Sequence, residues 1–263
     1  MPGKHGTDWQ LEALRSSLGA ALDGVAVEVL AEIDSTNSEL MRRARDGRLE
    51  PVLLVAEHQS AGRGRLGREW FSDPQARDLT FSLGLPLSPP QWAGLSLVVG
   101  VSIAQSLHPD LRLKWPNDVW WERRKLAGIL VETTRTGNAN HVIIGVGVNA
   151  RRPRARHLRT PAAWLGEVRP DLNAALALMQ IAAPLVQSIK AFEMHGFAPF
   201  QARFNALDAL AGQFITLSDG SSGIADGVNH LGALRVQVAG GTMEIISSEV
   251  SVHPQSELTL NTL

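Results

Sequence analysis

SAGRGRLGREW, residues 60–70, is the stretch on which the fold turns. It contains Gly62-x-Gly64-x-x-Gly67, the spacing of a dinucleotide-binding turn. Such a turn needs a strand before it and a helix after it, so that the helix N-terminus faces a pyrophosphate. The strand is present, since PVLLVAEHQ (51–59) is an apolar run. The helix is not: from Arg68 the chain reads REWFSDPQARD, with adjacent aromatics, a proline and no apolar stripe. The context therefore excludes a dinucleotide fold. The glycines still permit tight turning and close approach to a ligand. Arg63, Arg65 and Arg68 bring fixed charges suited to phosphate or carboxylate. An ordinary exposed basic hairpin is the alternative.

Working outward, 25–33, 79–87 and 111–115 read as strands, with helices over about 9–18, 38–47 and 91–107. KLAGILVET (125–133) and HVIIGVGVNA (141–150) flank TRTGNAN, a loop of hairpin type. RRPRARHLRT (151–160) reads as an exposed arginine-rich loop. Helices follow over about 171–194 and 198–210, the first expected to kink at Pro184. From Gly212 the chain becomes short strands punctuated by glycines, as in a small β-barrel appended to an α/β domain. The expected domains are therefore 1–210 and 211–263.

The 263 residues, 44% of them hydrophobic, are enough for one large core and a small satellite. Lysine plus arginine number 25 against 26 aspartates and glutamates, a net charge of -1, which weighs against a nucleic-acid binder. Without cysteine there are no disulfides, thiolate nucleophiles or cysteine metal sites. The eight histidines are scattered. No signal peptide is apparent, and no stretch approaches the roughly 18 uninterrupted apolar residues of a membrane span. A soluble, cytoplasmic protein without membrane contact is the expected class.

Three further stretches carry polar groups at strand ends. In DSTNSEL, Thr36 and Glu39 have capping-box spacing, while Ser35, Thr36 and Asn37 with free helix N–H groups could bind a small polar molecule. In LKWPNDVW, proline ends the strand and Asn117 and Asp118 fall in the turn beyond. Asp118 suits a Mg²⁺ ion shared with substrate phosphates; a plain Pro-Asn-Asp turn is the alternative. Lys125, at the entrance to an apolar strand, is either a solvated strand end or a cation reaching into a pocket. Gly145 and Gly147 within a strand predict close approach by backbone or ligand. Together these favour phosphate-ester chemistry over redox.

DSTN (34–37), HQSAGRGRLGREW (58–70), KWPND (114–118), KLAGILVE (125–132) and GVGVN (145–149), in this order, resemble the biotin–protein ligases. The tail, GIADGVNHLGALRVQ with SSEVSV, is similar to that family's small SH3-like domain. The resemblance implies a mixed, largely antiparallel sheet with helices packed on it, as in class II aminoacyl-tRNA synthetases, plus the SH3-like barrel. It implies ATP-dependent attachment of biotin to a lysine of a biotin carboxyl carrier domain of acetyl-CoA carboxylase, through biotinyl-5′-adenylate and with Mg²⁺. By motif position, Ser35, Thr36 and Gln59 are expected around the biotin ureido ring. Gly62 to Arg68 is expected to order over biotin and the phosphate, with Arg63 and Arg65 its main charges. Lys125 is expected at the biotin carboxylate and α-phosphate. Asn117 and Asp118 are expected beside the nucleotide and magnesium, Asp118 as the metal ligand, with Asn149 near the nucleotide. Asn37, Gly64, Arg68, Trp70, Lys114, Gly128 and Gly147 complete the expected binding residues.

About 30 residues precede DSTN, too few for the DNA-binding domain of bifunctional members, so no DNA is expected as a partner. A homodimer is one assembly the resemblance allows. Ser248 stands where the family usually has glycine. A lipoate or octanoate ligase or transferase, a nucleic-acid-binding protein and a silent biotin-binding module are the competing readings.

Overall fold

A computed structural model describes residues 7–71, 78–153, 160–246 and 253–254. The middle of the arginine-rich loop (154–159), part of the segment after Trp70 (72–77) and Ser248 lie outside the described residues.

The chain runs α1 (Leu11–Ala21), β1 (Ala26–Leu30), α2 (Thr36–Arg45), β2 (Val52–Ala56), β3 (Leu79–Pro86), α3 (Leu95–Leu107), β4 (Arg112–Lys114), β5 (Asp118–Trp121), β6 (Arg124–Thr136) and β7 (Ala139–Val148). Then come α4 (Leu165–Val168), α5 (Ala174–His195), α6 (Gln201–Leu207), β8 (Phe214–Thr216), β9 (Ser222–Val228), β10 (Leu234–Val238), β11 (Gly241–Ile245) and β12 (His253–Pro254).

Seven strands form one sheet in the order β1-β2-β3-β7-β6-β5-β4. Only β1 and β2 pair in parallel, and α2 makes the crossover between them. Every other pair is antiparallel. That explains the missing helix after the glycine-arginine stretch. An antiparallel β2–β3 pair needs no crossover helix, so a loop suffices.

Side chains alternate between the two faces of the sheet. Phe81, Leu83, Val142, Ile144 and Val146 enter the main core, which α1, α3 and α5 cover. The other face carries a small apolar cluster of Leu40, Met41, Leu54 and Ile143 under α2. Beyond that cluster the same face is lined with small and polar residues, and there the cleft lies. The expected seven-residue hairpin loop is shorter: pairing continues to Thr136↔Ala139, leaving Gly137 and Asn138 as the turn. Gly137, with φ 60°, supplies the left-handed conformation such a turn requires.

α5 continues through Pro184 as one 22-residue helix. Its length and mean hydropathy of 1.4 would suffice to cross a membrane, although serine, glutamine and proline interrupt it. Half of its most apolar window is buried in the protein, and it lies against α1 and α3. α6 is shorter than the expected helix, with a 3₁₀ turn at Ala198–Phe200 before it.

The C-terminal strands form a second, antiparallel sheet in the order β11-β10-β9-β8-β12. Its inward residues Ile215, Leu217, Val228, Leu234 and Val236 join the main core without a break. At the junction, the Ala209 amide donates to the Leu113 carbonyl (2.9 Å) and Trp115 Nε1 donates to the Gly232 carbonyl (3.0 Å).

Asp208, at this junction, accepts from the Leu210 amide (2.9 Å). Burial pushes its carboxyl up to about 6 from an ordinary 3.8. A carboxyl with a raised folded pKa is favourable while protonated, and its contribution is lost as pH rises from 3.8 through 6. Asp208→Asn is therefore expected to stabilise the protein at pH 8 by on the order of 1–3 kcal/mol, and to change little at pH 4. Denaturant unfolding at both pH values checks this; an equal change at both would refute it.

Candidate functional site

Strand register builds the floor of the cleft in transverse rows. Asp118 stands opposite Gly128, which stands opposite Gly147, itself opposite Thr80. The next row runs Leu130, Gly145 and Ser82; the third runs Glu132, Ile143 and Gly84. α2 crosses the third row, with Leu40 against Gly84, and lays Asn37 on the second. A Cβ on Gly145 would come 2.2 Å from Asn37 Oδ1. A Cβ on Gly147 would lie 2.3 Å from the Trp70 ring, and one on Gly128 would lie 3.1 Å from the same ring. The close approach expected at the strand glycines is made by two side chains, Asn37 and Trp70.

The result is a cleft of about 270 Å³. All residues expected around the ligands line it except Gly62, and they converge from five segments far apart in sequence, 35–37, 59–70, 114–118, 125–128 and 147–149. Gly62 lies just outside the lining but shapes it: its missing side chain lets the Trp70 carbonyl approach, to 2.4 Å from where a Cβ would sit.

One end is a buried polar cluster. The ends of β1 and β2 continue side by side through an Ile33–Gln59 bridge, which brings Gln59 to the start of α2. Gln59 Oε1 accepts from the Thr36 amide (2.8 Å) and from Thr36 Oγ1 (3.1 Å). Ser82 Oγ lies 2.7 Å from Thr36 Oγ1 and 2.6 Å from Asn37 Oδ1. The Asn37 amide donates to Glu132 Oε2 (3.0 Å) and the Leu130 carbonyl (3.3 Å).

This overturns the capping-box expectation. Ser35 is the N-cap, accepting from the Ser38 amide at 3.4 Å, and Thr36 is the first helical residue. Glu39 instead pairs with Arg43 and Arg42, and Arg43 first, then Arg42, holds its carboxyl below the ordinary value. Nor is the helix start free for a ligand at Thr36, because Gln59 already takes that N–H.

Over this floor the glycine-arginine stretch folds as a small hairpin. The Gly64 amide donates to Arg68 (2.7 Å), the Trp70 amide to Gly62 (2.9 Å), and Arg63 bridges Glu69. The turn has left-handed backbone at Leu66 (φ 60°) and Gly67 (φ 70°). Unlike an ordinary exposed hairpin, it turns its side chains into the cleft. Arg63 Nη2 pairs with Glu132 Oε1 at 2.7 Å. Arg65 reaches Asn117 Oδ1 (3.2 Å). Burial pulls the Arg65 guanidinium below its ordinary value, Asp118 works in the opposite direction, and Arg68 adds to the lowering.

The other end of the cleft carries the nucleotide-side candidates. Asp118 opens β5 rather than lying in the turn, directly opposite Lys114. The correction follows from register: the β4–β5 turn needs only Trp115, Pro116 and Asn117. Lys125 Nζ sits 2.7 Å from Asp118 Oδ1 and 5.7 Å from the centre of the Trp70 ring. Lys114 is buried, with its ammonium 5.1 Å from the Trp120 ring centre. Asn117 Nδ2 donates to the Ile129 carbonyl (2.8 Å). Asn149 lines the cleft, but its amide ties the Lys125 and Ala163 carbonyls together (3.1 and 3.0 Å), so it holds the walls as well.

Sequence reasoning missed Ser82 and Glu132. Ser82 had a signal, being with Thr80 a polar residue on alternate positions of an otherwise apolar strand. Glu132 had none, because its partners Asn37 and Arg63 are 95 and 69 residues away.

Comparison with known proteins agrees with this geometry. The pattern of the biotin/lipoate A/B protein ligase family matches residues 29–149. The bifunctional ligase/repressor BirA of Escherichia coli (strain K12) is 36% identical over 245 residues, covering 88% of this chain and 75% of that protein. The biotin–[acetyl-CoA-carboxylase] ligase of Mycobacterium tuberculosis is 33% identical over 258 residues, covering 90% and 93%. The structure of a biotin protein ligase from Aquifex aeolicus in complex with biotin and ATP superimposes with a TM-score of 0.74 at 26% identity, covering 89% of this chain and 100% of that one. Shared sequence over most of the length, on the same fold, places this chain among the biotin–protein ligases of the biotin/lipoate A/B protein ligase family.

Proposed function

We propose that this protein attaches biotin to one lysine of a biotin carboxyl carrier domain of a carboxylase, using ATP. A biotin carboxylate oxygen attacks the α-phosphorus of ATP, the bond to pyrophosphate breaks, and biotinyl-5′-adenylate forms. The ε-amine of the carrier lysine then attacks the acyl carbon, loses a proton, and AMP leaves. The observation that carries this reading is the convergence of Lys125, Arg63 and Arg65 on one cleft, in a chain of this family. Two anions must meet, and fixed cations in a partly desolvated cleft favour their approach.

In this reading the polar cluster of Ser35, Thr36, Asn37 and Gln59 takes the biotin ring system. Lys125, held by Asp118, lies between the biotin carboxylate and the α-phosphate. Gly62, Gly64, Arg65 and Arg68 close over the phosphate. Trp70, Lys114, Asn117, Gly128, Gly147 and Asn149 surround the nucleotide. The ring of Trp70, lying on two glycines and beside a lysine, offers an aromatic face for a base.

Magnesium fits the donor set. Asp118 supplies one carboxylate, and no group of three or more histidines, aspartates and glutamates forms a ready-made metal centre among the described residues. That suits an ion carried chiefly by phosphate oxygens and water. When bound, it would neutralise phosphate charge.

We assign 1–210 as the catalytic domain and 211–263 as a small SH3-like barrel, supported by the change to strands alone among the described residues after α6. The cytoplasm, where ATP and carrier domains are both available, is the setting this reading requires. Biotin-dependent exchange of labelled pyrophosphate into ATP tests the first half-reaction. Exchange that needs both biotin and a divalent cation is expected; biotin binding without any exchange would reduce the protein to a binding module.

A further inference from the structure

Glu132 takes no direct part in the cleft lining, yet it links the two halves of the site. Its Oε1 lies 2.7 Å from Arg63 Nη2, and its Oε2 accepts from Asn37 Nδ2 at 3.0 Å and from Arg63 Nη1 at 3.4 Å. Asn37 meets Ser82, Ser82 meets Thr36, and Thr36 meets Gln59. Six side chains thus run along the cleft from Gln59 to Arg63, the two residues that flank the first turn of the glycine-arginine loop. Arg63 also donates to Ser38 Oγ (3.2 Å).

Arg63 is 45% exposed, and an ion pair between two mobile side chains at such a position would contribute little. Here one partner is not mobile. Glu132 is 21% exposed and is oriented by Asn37, which is 3% exposed and hydrogen-bonded at both ends of its amide. A glycine-rich loop loses much backbone freedom when it orders. A charge-assisted bond to a preset carboxylate offsets part of that loss.

We propose that Glu132 is a positioning residue that anchors the glycine-arginine loop through Arg63, so that the acyl adenylate formed beneath it stays in the cleft. The inference rests on the ligase reading. It assigns Glu132 no contact with either substrate; it acts through Arg63.

The test forms labelled biotinyl adenylate on the whole enzyme from biotin and labelled ATP without carrier, removes free nucleotide, and measures the rate at which the bound adenylate is released into solvent. Glu132→Gln and Arg63→Gln are each expected to raise that rate about tenfold. The double variant is expected to leak no faster than the faster single one, because both break the same contact. The thermal midpoint of Glu132→Gln should stay near that of the parent, which a general loosening of the fold would not allow. Glu132→Asp, which keeps the charge but shortens the reach, should leak at an intermediate rate and serves if Glu132→Gln folds poorly. Unchanged leakage in Glu132→Gln and Glu132→Asp, or multiplied rates in the double variant, would overturn the proposal. A parent enzyme that forms no adenylate would instead sink the ligase reading itself.

Discussion

Lys125→Ala is expected to lower biotin-dependent pyrophosphate release by roughly 10²- to 10³-fold, the range seen when one preset charge-stabilising group is removed. The fold should survive. The lysine side chain is 27% exposed, and its backbone remains tied in place, the amide to Pro161 (2.8 Å) and the carbonyl to Ala163 (2.9 Å). What is lost is the cation between two approaching anions. The substitution also strands Asp118, 13% exposed, without its nearest positive partner. Lys125→Arg should rescue poorly, because a planar guanidinium cannot replace a compact ammonium 2.7 Å from Asp118 beside the Trp70 ring. Single-turnover measurement separates this step from product release. A rate within threefold of the parent would reject the role given to Lys125.

Gly147→Val should be nearly as damaging for a different reason. Any Cβ at this position meets the Trp70 ring at 2.3 Å, and the strand, paired on both sides, cannot retreat. Trp70 must leave the glycine floor, and with it goes the aromatic face beside Lys125. Activity should fall by about 10²-fold, in the range for a misplaced binding element, and stability by about 1–3 kcal/mol from overpacking. Trp70→Ala in the same chain makes room for the valine. The double variant should regain most of the lost stability while staying inactive. If Gly147→Val alone keeps both its stability and its ATP affinity, the strand glycines do not serve as the floor for Trp70.

Much of this architecture is legible in the sequence. The absence of helical pattern after Gly67 already excluded the dinucleotide fold, and the antiparallel β2–β3 pair is the physical counterpart of that absence. Gly145 and Gly147 announced a close approach because glycine inside a strand is otherwise unfavourable. What the sequence could not convey was register. Only pairing decides that Asp118, Gly128 and Gly147 share one row, or that Glu132 lies beside Asn37. Capping-box spacing misled at Thr36 because a distant glutamine, Gln59, competes for the same N–H. Arg65 was legible as a charge, but its burial against Asn117 depends on a hairpin closing over a sheet.

The most direct measurement of the central claim is mass analysis of a purified biotin carboxyl carrier domain incubated with this protein, ATP, magnesium, and biotin and lipoate in equal amounts. The account predicts that one lysine gains biotin, that modification requires ATP, and that lipoate is not attached. Attachment of lipoate alone, or no modification beside a parallel reaction shown to work, would contradict it.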